Sequence, residues 1–310
     1  MLHALVLGSA AGGGFPQWNG NDRNSQRARA GDRKVPGRTQ SSLAVSGDGR
    51  RWVILNASPD IRRQIDDRRQ LQPKAGDPLR SSPIASAILT NADVDHVAGL
   101  LSLRERQPLA LYAHRRVLGA LSGNPVFRVL DPDHVVRREL PLDRKSPIDD
   151  RDGAPLGLAV TAFEVPGKAA LWLEQTEKPD FGTEGGDTIG IEISAPGAAP
   201  MFYIPGCAHM TGALAARLRD AALVFFDGTL WRDDEMIVQG VGRKTGKRMG
   251  HMSCAGPDGT IAAFTPLGVK RKIFIHINNT NPLVAEDSAE RAEAAAAGWE
   301  VACDGMEIVL

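Results

Sequence analysis

The sequence predicts an α/β (α+β) protein built as a four-layer αββα sandwich, two mixed β-sheets packed face to face with helices outside. Three observations predict it. Short apolar runs rich in β-branched residues recur along the chain, each bounded by turn residues. Helix-period patterns fall between them. Strands come first as hairpin-like neighbours and later alternate with helices, which favours mixed sheets over a purely parallel doubly wound one.

The elements follow in order. Runs at 4–7, 42–45, 52–55, 85–89 and 109–112 read as strands, as do later ones at 158–163, 189–193, 201–204, 223–226, 273–277 and 307–310. Helical patterns occupy 97–106, 115–122, 211–220, 259–264 and 288–298. Residues 19–37, packed with Arg, Asn and Gly, and residues 174–186 are expected to be the least ordered stretches. Residues 1–310 read as a single domain, because two-sheet folds run past about 200 residues without dividing. No fixed-period repeat is evident.

Hydrophobic residues make up 42% and charged residues 24%, enough apolar material for a sizeable core. Lys plus Arg and Asp plus Glu each number 37, so no global field exists to attract nucleic acid or an anionic membrane. Neither is an expected partner. The opening MLHALVLGSAAGGGF has no basic leader and is broken early by glycine, so it reads as a first β-strand. Cys207, Cys254 and Cys303 are too few for a disulfide framework and too far apart for a local zinc clip. A cytoplasmic, reducing location is expected.

The segment at 85–103 carries the most chemistry. An apolar strand runs into Thr90 and delivers Asn91, Asp93, Asp95 and His96. Period-two spacing points Asn91, Asp93 and Asp95 the same way if the strand persists, and a turn into the next helix brings His96 alongside. The alternative is an Asx-rich turn in which Asp95 caps that helix. Elsewhere, Gly12-Gly13-Gly14 lacks the Gly-Lys-Ser/Thr ending of a phosphate loop. The basic residues from Arg23 to Arg38 read as a solvated loop, or as a device that steers carboxylates.

Thr90-Asn91-Ala92-Asp93-Val94-Asp95-His96, followed by Gly99-Leu100, resembles the T-H-x-H-x-D-H-x-x-G-L signature of the metallo-β-lactamase superfamily. Asn91 and Asp93 stand where that signature has its first two histidines. Later landmarks resemble its nuclease and phosphodiesterase branch. Residues 202–207 are similar to the strand ending in Gly-Asp-Thr, with Cys207 in place of the aspartate that bridges two metals. LVFFDGT at 223–229 resembles the strand whose acid, here Asp227, pairs with a histidine, and Gly250-His251-Met252-Ser253 resembles the turn carrying it. KIFIHI at 272–277 resembles the strand that presents the last metal histidine, here His276. The runs GSAAGGGFPQWN, RTQSSLAVS, LNASPDIRRQI, TNADVDH and HINNTNP are similar to the branch that serves pyrroloquinoline quinone (PQQ) biosynthesis, over nearly the whole chain. Members of that branch carry a cysteine cluster after the Trp-Asn pair. Here Gly20, Asp22 and Ser25 occupy that region, so no structural zinc is expected within residues 19–30.

The resemblance implies one decayed and one surviving metal position. The first would need the two replaced histidines, a histidine near Pro166 and the bridging aspartate. The second keeps Asp95, His96 and His276 as expected ligands. Asp93 is a fourth ligand or an outer acceptor, and Cys207 a soft ligand or a small buried apolar group. Two histidines and a carboxylate with open positions suit non-haem Fe(II) that activates dioxygen, with Zn or Mn as substitutes, whereas zinc hydrolases of this fold use two metals. His251 with Asp227 is expected to be an oriented acid/base pair. The implied activity is Fe(II)-dependent hydroxylation, with dioxygen as co-substrate, of the tyrosine ring in a Glu-Tyr-derived PQQ precursor. Other PQQ-pathway proteins are expected partners. Two further readings stand beside it: a non-catalytic carrier or transport accessory for PQQ or its precursor, and a metal-dependent hydrolase.

Overall fold

The computed structural model describes residues 1–173 and 185–310, so most of the 174–186 expectation lies outside the described residues. The strands of the first half are β1 (His3–Gly8), β2 (Ser42–Ser46), β3 (Trp52–Leu55), β4 (Ile84–Leu89), β5 (Leu109–Ala113) and β6 (Val135–Glu139). Those of the second are β7 (Lys145–Asp149), β8 (Pro155–Glu164), β9 (Ile189–Ser194), β10 (Met201–Ile204), β11 (Leu223–Asp227), β12 (Arg271–Ile275) and β13 (Trp299–Val301), and β14 (Glu307–Val309) returns to the first sheet. Among the described residues the two sheets run β14-β1-β2-β3-β4-β5-β6 and β13-β12-β11-β10-β9-β8-β7. Each starts antiparallel and ends parallel: β3 to β6 in one and β10 to β13 in the other are parallel ladders. The two halves share this wiring scheme.

Alternation along β1 shows the layers. Ala4 and Val6 face the other sheet, in a core with Val53, Ile88, Ile191, Tyr203 and Phe225. Leu5 and Leu7 face outward, toward the helices α2 (Ile61–Asp66), α3 (Val94–Val97) and α4 (Arg115–Gly123), whose Ile61, Val97, Val117 and Leu121 join their core. On the second sheet Phe202, Val224, Phe226 and Phe274 pack with Leu214, Phe264 and Ala294 of the helices at Gly212–Leu218, Thr260–Phe264 and Ala289–Ala296. This is the expected four-layer αββα sandwich of two mixed sheets.

Three details differ from expectation. β6 (VVRRE) and β7 (KSPID) are too polar to be read as strands, because they are the far edges of their sheets and their outward residues meet water. Residues 19–37 are organised. Helix α1 spans Arg23–Arg29 with Asp22 as its N-cap, Arg27 pairs with Asp32 and Asp287, and Arg38 is buried, donating to Ser9 Oγ and the Ala302 carbonyl. The helix expected over 97–106 begins earlier, at Val94, with Asp93 rather than Asp95 at its N-cap, and tightens into a 3₁₀ turn at Ala98–Leu103.

Gly99 explains how that turn docks. Its N–H donates to the Ala57 carbonyl at 2.9 Å, and a Cβ there would stand 2.0 Å from the Ser58 carbonyl oxygen. The obstacle is backbone and cannot step aside. Gly99→Ala is expected to destabilise the protein by about 1–3 kcal/mol through overpacking. A thermal melt that matches the parent would refute this account. No helix among the described residues is long and apolar enough to cross a membrane.

Candidate metal centre

The ends of β4, β11 and β12 meet at one edge of the sandwich, and local chemistry stops each strand there. Asn56, with φ of 61°, clamps Thr90 just past β4: its Nδ2 donates to Thr90 Oγ1 and its Oδ1 accepts from Thr90 N, both at 2.9 Å. Asn91 Oδ1 then accepts from Asp93 N at 2.9 Å, an Asx-turn that swings the chain into α3. The strand does not persist, so the period-two alignment of Asn91, Asp93 and Asp95 is lost. His96 is fixed through its carbonyl, which accepts from Ala57 N at 2.8 Å.

His276 follows the last residue of β12 and holds φ of 61°, the left-handed region that costs an L residue roughly 1–2 kcal/mol. Such strain persists where the surroundings over-determine it and concentrates at functional sites. Here Ile277 N donates to the Ser9 carbonyl at 2.9 Å, and Ala11 N donates to the Ile277 carbonyl at 2.8 Å. The loop after β1 thus pins the turn.

These turns bring together residues 181 positions apart. His276 Nε2 lies 3.0 Å from Asp95 Oδ2, and His96 Nε2 lies 3.8 Å from the same oxygen. One ligand atom from each of Asp95, His96 and His276 falls within 4.8 Å of the others. His96 Nε2 is buried and has no hydrogen-bond partner among the described residues. An orphaned imidazole nitrogen beside a carboxylate and a second imidazole is a donor set that a divalent transition metal satisfies. The residues fit a metal ion.

A second group adjoins the first. His251 Nδ1 lies 2.7 Å from Asp227 Oδ2, Asp227 is fully buried, and the rings of His251 and His276 stack with centroids 5.3 Å apart. Asp227, His251 and His276 also offer ligand atoms within 4.8 Å of one another. Asp227 accepts further bonds from Cys207 N at 2.8 Å and from the Thr229 hydroxyl at 2.6 Å.

Burial opposes charge at Asp95, His96, Asp227 and His276, and the balance with their neighbours sets the direction in which each is shifted. Burial by itself would raise Asp95, but His96 and the His276 hydrogen bond hold it well below the usual carboxylate range. Burial would lower His276, yet the hydrogen bond and charge of Asp95, with Asp227 and Asp93 behind, raise it. For His96 burial wins over the pull of Asp95, and its pKa falls, leaving a neutral imidazole fit to ligate. Asp227 is raised by burial but lowered overall by the charge and hydrogen bond of His251.

Asp93 and Cys207 belong to neither group of converging ligand atoms among the described residues. The Cys207 thiol donates to the His209 carbonyl at 3.3 Å, and burial, with Asp227 adding to it, pushes its pKa up. His209 lines a cavity of about 1030 Å³ with Phe163, Pro166, Leu214, Arg217 and Arg248. None of Asp95, His96, His251 or His276 is among the residues that line it. Thr229, absent from the residues singled out in the sequence, contacts both groups: its Oγ1 lies 2.8 Å from His276 Nδ1 and 3.0 Å from His251 Nδ1. The only signal for it was its place directly after Asp227-Gly228 at a strand end.

The profile described as "Beta-lactamase superfamily domain" matches residues 51–277. The chain is 55% identical over 308 residues to a "Coenzyme PQQ synthesis protein B" of Gluconacetobacter diazotrophicus, with 99% of each chain covered. It is 53% identical over 312 residues to the protein of that name in Xanthomonas euvesicatoria pv. vesicatoria, with both covered completely. Among solved structures, Zn(2+)-bound PqqB from Methylobacterium extorquens superposes with a TM-score of 0.93 at 50% identity, over 99% of this chain and 100% of that one. A diphosphatase of the PhnP family superposes at 0.69 with 18% identity, over 100% of this chain and 98% of that one, a likeness of fold alone.

Proposed function

The chain belongs to the coenzyme PQQ synthesis protein B family of the beta-lactamase superfamily, and from that premise we propose that it is an iron-dependent hydroxylase of PQQ biosynthesis. Its substrate in this reading is the tyrosine ring of a Glu-Tyr-derived precursor, and dioxygen is the co-substrate. One observation carries the reading: Asp95, His96 and His276 converge, and the buried His96 Nε2 has no hydrogen-bond partner among the described residues. Two histidines and one carboxylate are the donor set of non-haem Fe(II) sites that keep open positions. When bound, the ferrous ion supplies the activation of dioxygen. Zinc, the ion in the Methylobacterium extorquens relative, is taken as a substitute occupant.

The chain's own residues do the rest. Asp95, His96 and His276 hold the ion. Asp227 accepts at Nδ1 of His251 and thereby fixes that imidazole's tautomer, leaving Nε2 as the atom that takes or gives a proton. A two-metal hydrolase would need ligands where Asn91 is engaged with Asp93 N and Cys207 with the His209 carbonyl. The geometry thus supports one metal better than two.

The test is oxygen uptake by the protein loaded anaerobically with Fe(II) and then supplied with a Glu-Tyr dipeptide. Uptake above a metal-free control, with oxygen added to the dipeptide by mass spectrometry, is the expected result. Uptake no greater than the control, with the dipeptide or PQQ still bound, would favour the carrier reading instead.

A further inference from the structure

The Thr229 hydroxyl contacts both halves of the centre, and its hydrogen bonds can be assigned by counting protons. Asp227 is a carboxylate and only accepts. Thr229 Oγ1, at 2.6 Å from Asp227 Oδ1, therefore gives its single proton there. His276 Nδ1, 2.8 Å from the same hydroxyl, must then be the donor of that contact, since two acceptors would repel. The His251 Nδ1 proton goes to Asp227 Oδ2 at 2.7 Å, with the hydroxyl at 3.0 Å as a weaker second acceptor. Thr229 has no freedom to do otherwise. It is buried, its own N–H donates to Asp227 Oδ1 at 3.0 Å, and its carbonyl accepts from Asn278 N at 3.0 Å.

We propose that Thr229 is a positioning residue that accepts the Nδ1 proton of His276, so that Nε2, the nitrogen facing Asp95, is the one left to ligate a metal ion, and that it ties that ligand to the His251–Asp227 pair. The inference rests on the reading of Asp95, His96 and His276 as metal ligands. It assigns the hydroxyl, rather than the bulk of the side chain, as the active feature: without it the buried Nδ1 proton of His276 has no acceptor, and the ring loses its preferred orientation and tautomer.

The test compares Thr229→Val, which keeps the shape and removes the hydroxyl, with Thr229→Ser, which keeps the hydroxyl. Zinc and Fe(II) affinities of the full chain are measured by competition with a chromophoric chelator. The Val variant is expected to lose about 10–100-fold in affinity, the range for an outer partner of a ligand histidine, while the Ser variant stays near the parent. Equal affinities for Val and parent, or a Ser variant as weak as Val, would overturn the proposal. Because the Val variant could fail to fold, imidazole ¹⁵N NMR of the zinc-loaded parent gives a second measurement. Protonated Nδ1 on His276 is expected there, and a protonated Nε2 refutes the proposal. A parent that binds no metal would remove the metal reading and this inference together, whereas a parent and Val variant that bind alike would remove this inference only.

Discussion

Replacing His276 by Ala is expected to abolish hydroxylation and to weaken metal binding by more than the roughly 10–100-fold that loss of an outer partner produces. The physical case rests on its position in both groups of converging atoms: Nε2 sits 3.0 Å from Asp95 Oδ2, and Nδ1 sits 2.8 Å from Thr229. Removing the ring leaves Asp95 and His96 of that group to hold an ion between them. The fold is expected to survive. β12 ends at Ile275, and its ladders to β11 and β13 are made by backbone that the substitution does not touch. Ala and His pay a similar price for the left-handed φ, so little new strain enters. Anaerobic Fe(II) titration with circular dichroism as the folding control measures this. Parent-like affinity in a folded variant would show that His276 is not a ligand.

His251→Ala is expected to do something different: turnover falls by roughly 10²–10⁴-fold, the usual contribution of a positioned acid/base, while iron stays bound. The Asp227 carboxylate is not orphaned by the change, because Cys207 N, Thr229 N and the Thr229 hydroxyl still donate to it. Those three donors keep the carboxylate hydrogen-bonded, so the fold should survive, with a melting temperature below the parent's because the charge of His251 is lost. Single-turnover assays on iron-loaded protein, alongside metal titration, separate the two roles. If the variant loses its metal, His251 joins the ligand set with Asp227 and His276. Parent-like turnover would remove it from the chemistry.

Much of this protein is decided locally and is legible in its residues. The apolar runs that become β1 to β5 and β8 to β12 announce themselves because each strand of a sandwich buries at least one face. Asp95 and His96 are neighbours in a recognisable segment, and His276 and His251 each sit in a short distinctive run. Edge strands β6 and β7 carry no such run, since an edge needs little apolar surface.

What the tertiary structure alone decided is where side chains point and which distant atoms meet. Asn91 Oδ1 closes an Asx-turn on Asp93 N, and the Cys207 thiol reaches the His209 carbonyl, contacts that chain position alone does not announce. Thr229 has no distinguishing chemistry as a residue type. It matters because β11 and β12 run parallel, placing the turn after Asp227 beside His276, so that one hydroxyl lies within hydrogen-bond reach of two imidazoles and a carboxylate. Residue type is written in the chain at every position, whereas a hydrogen bond depends on direction to within a few tenths of an ångström, and only the packed sheets set that.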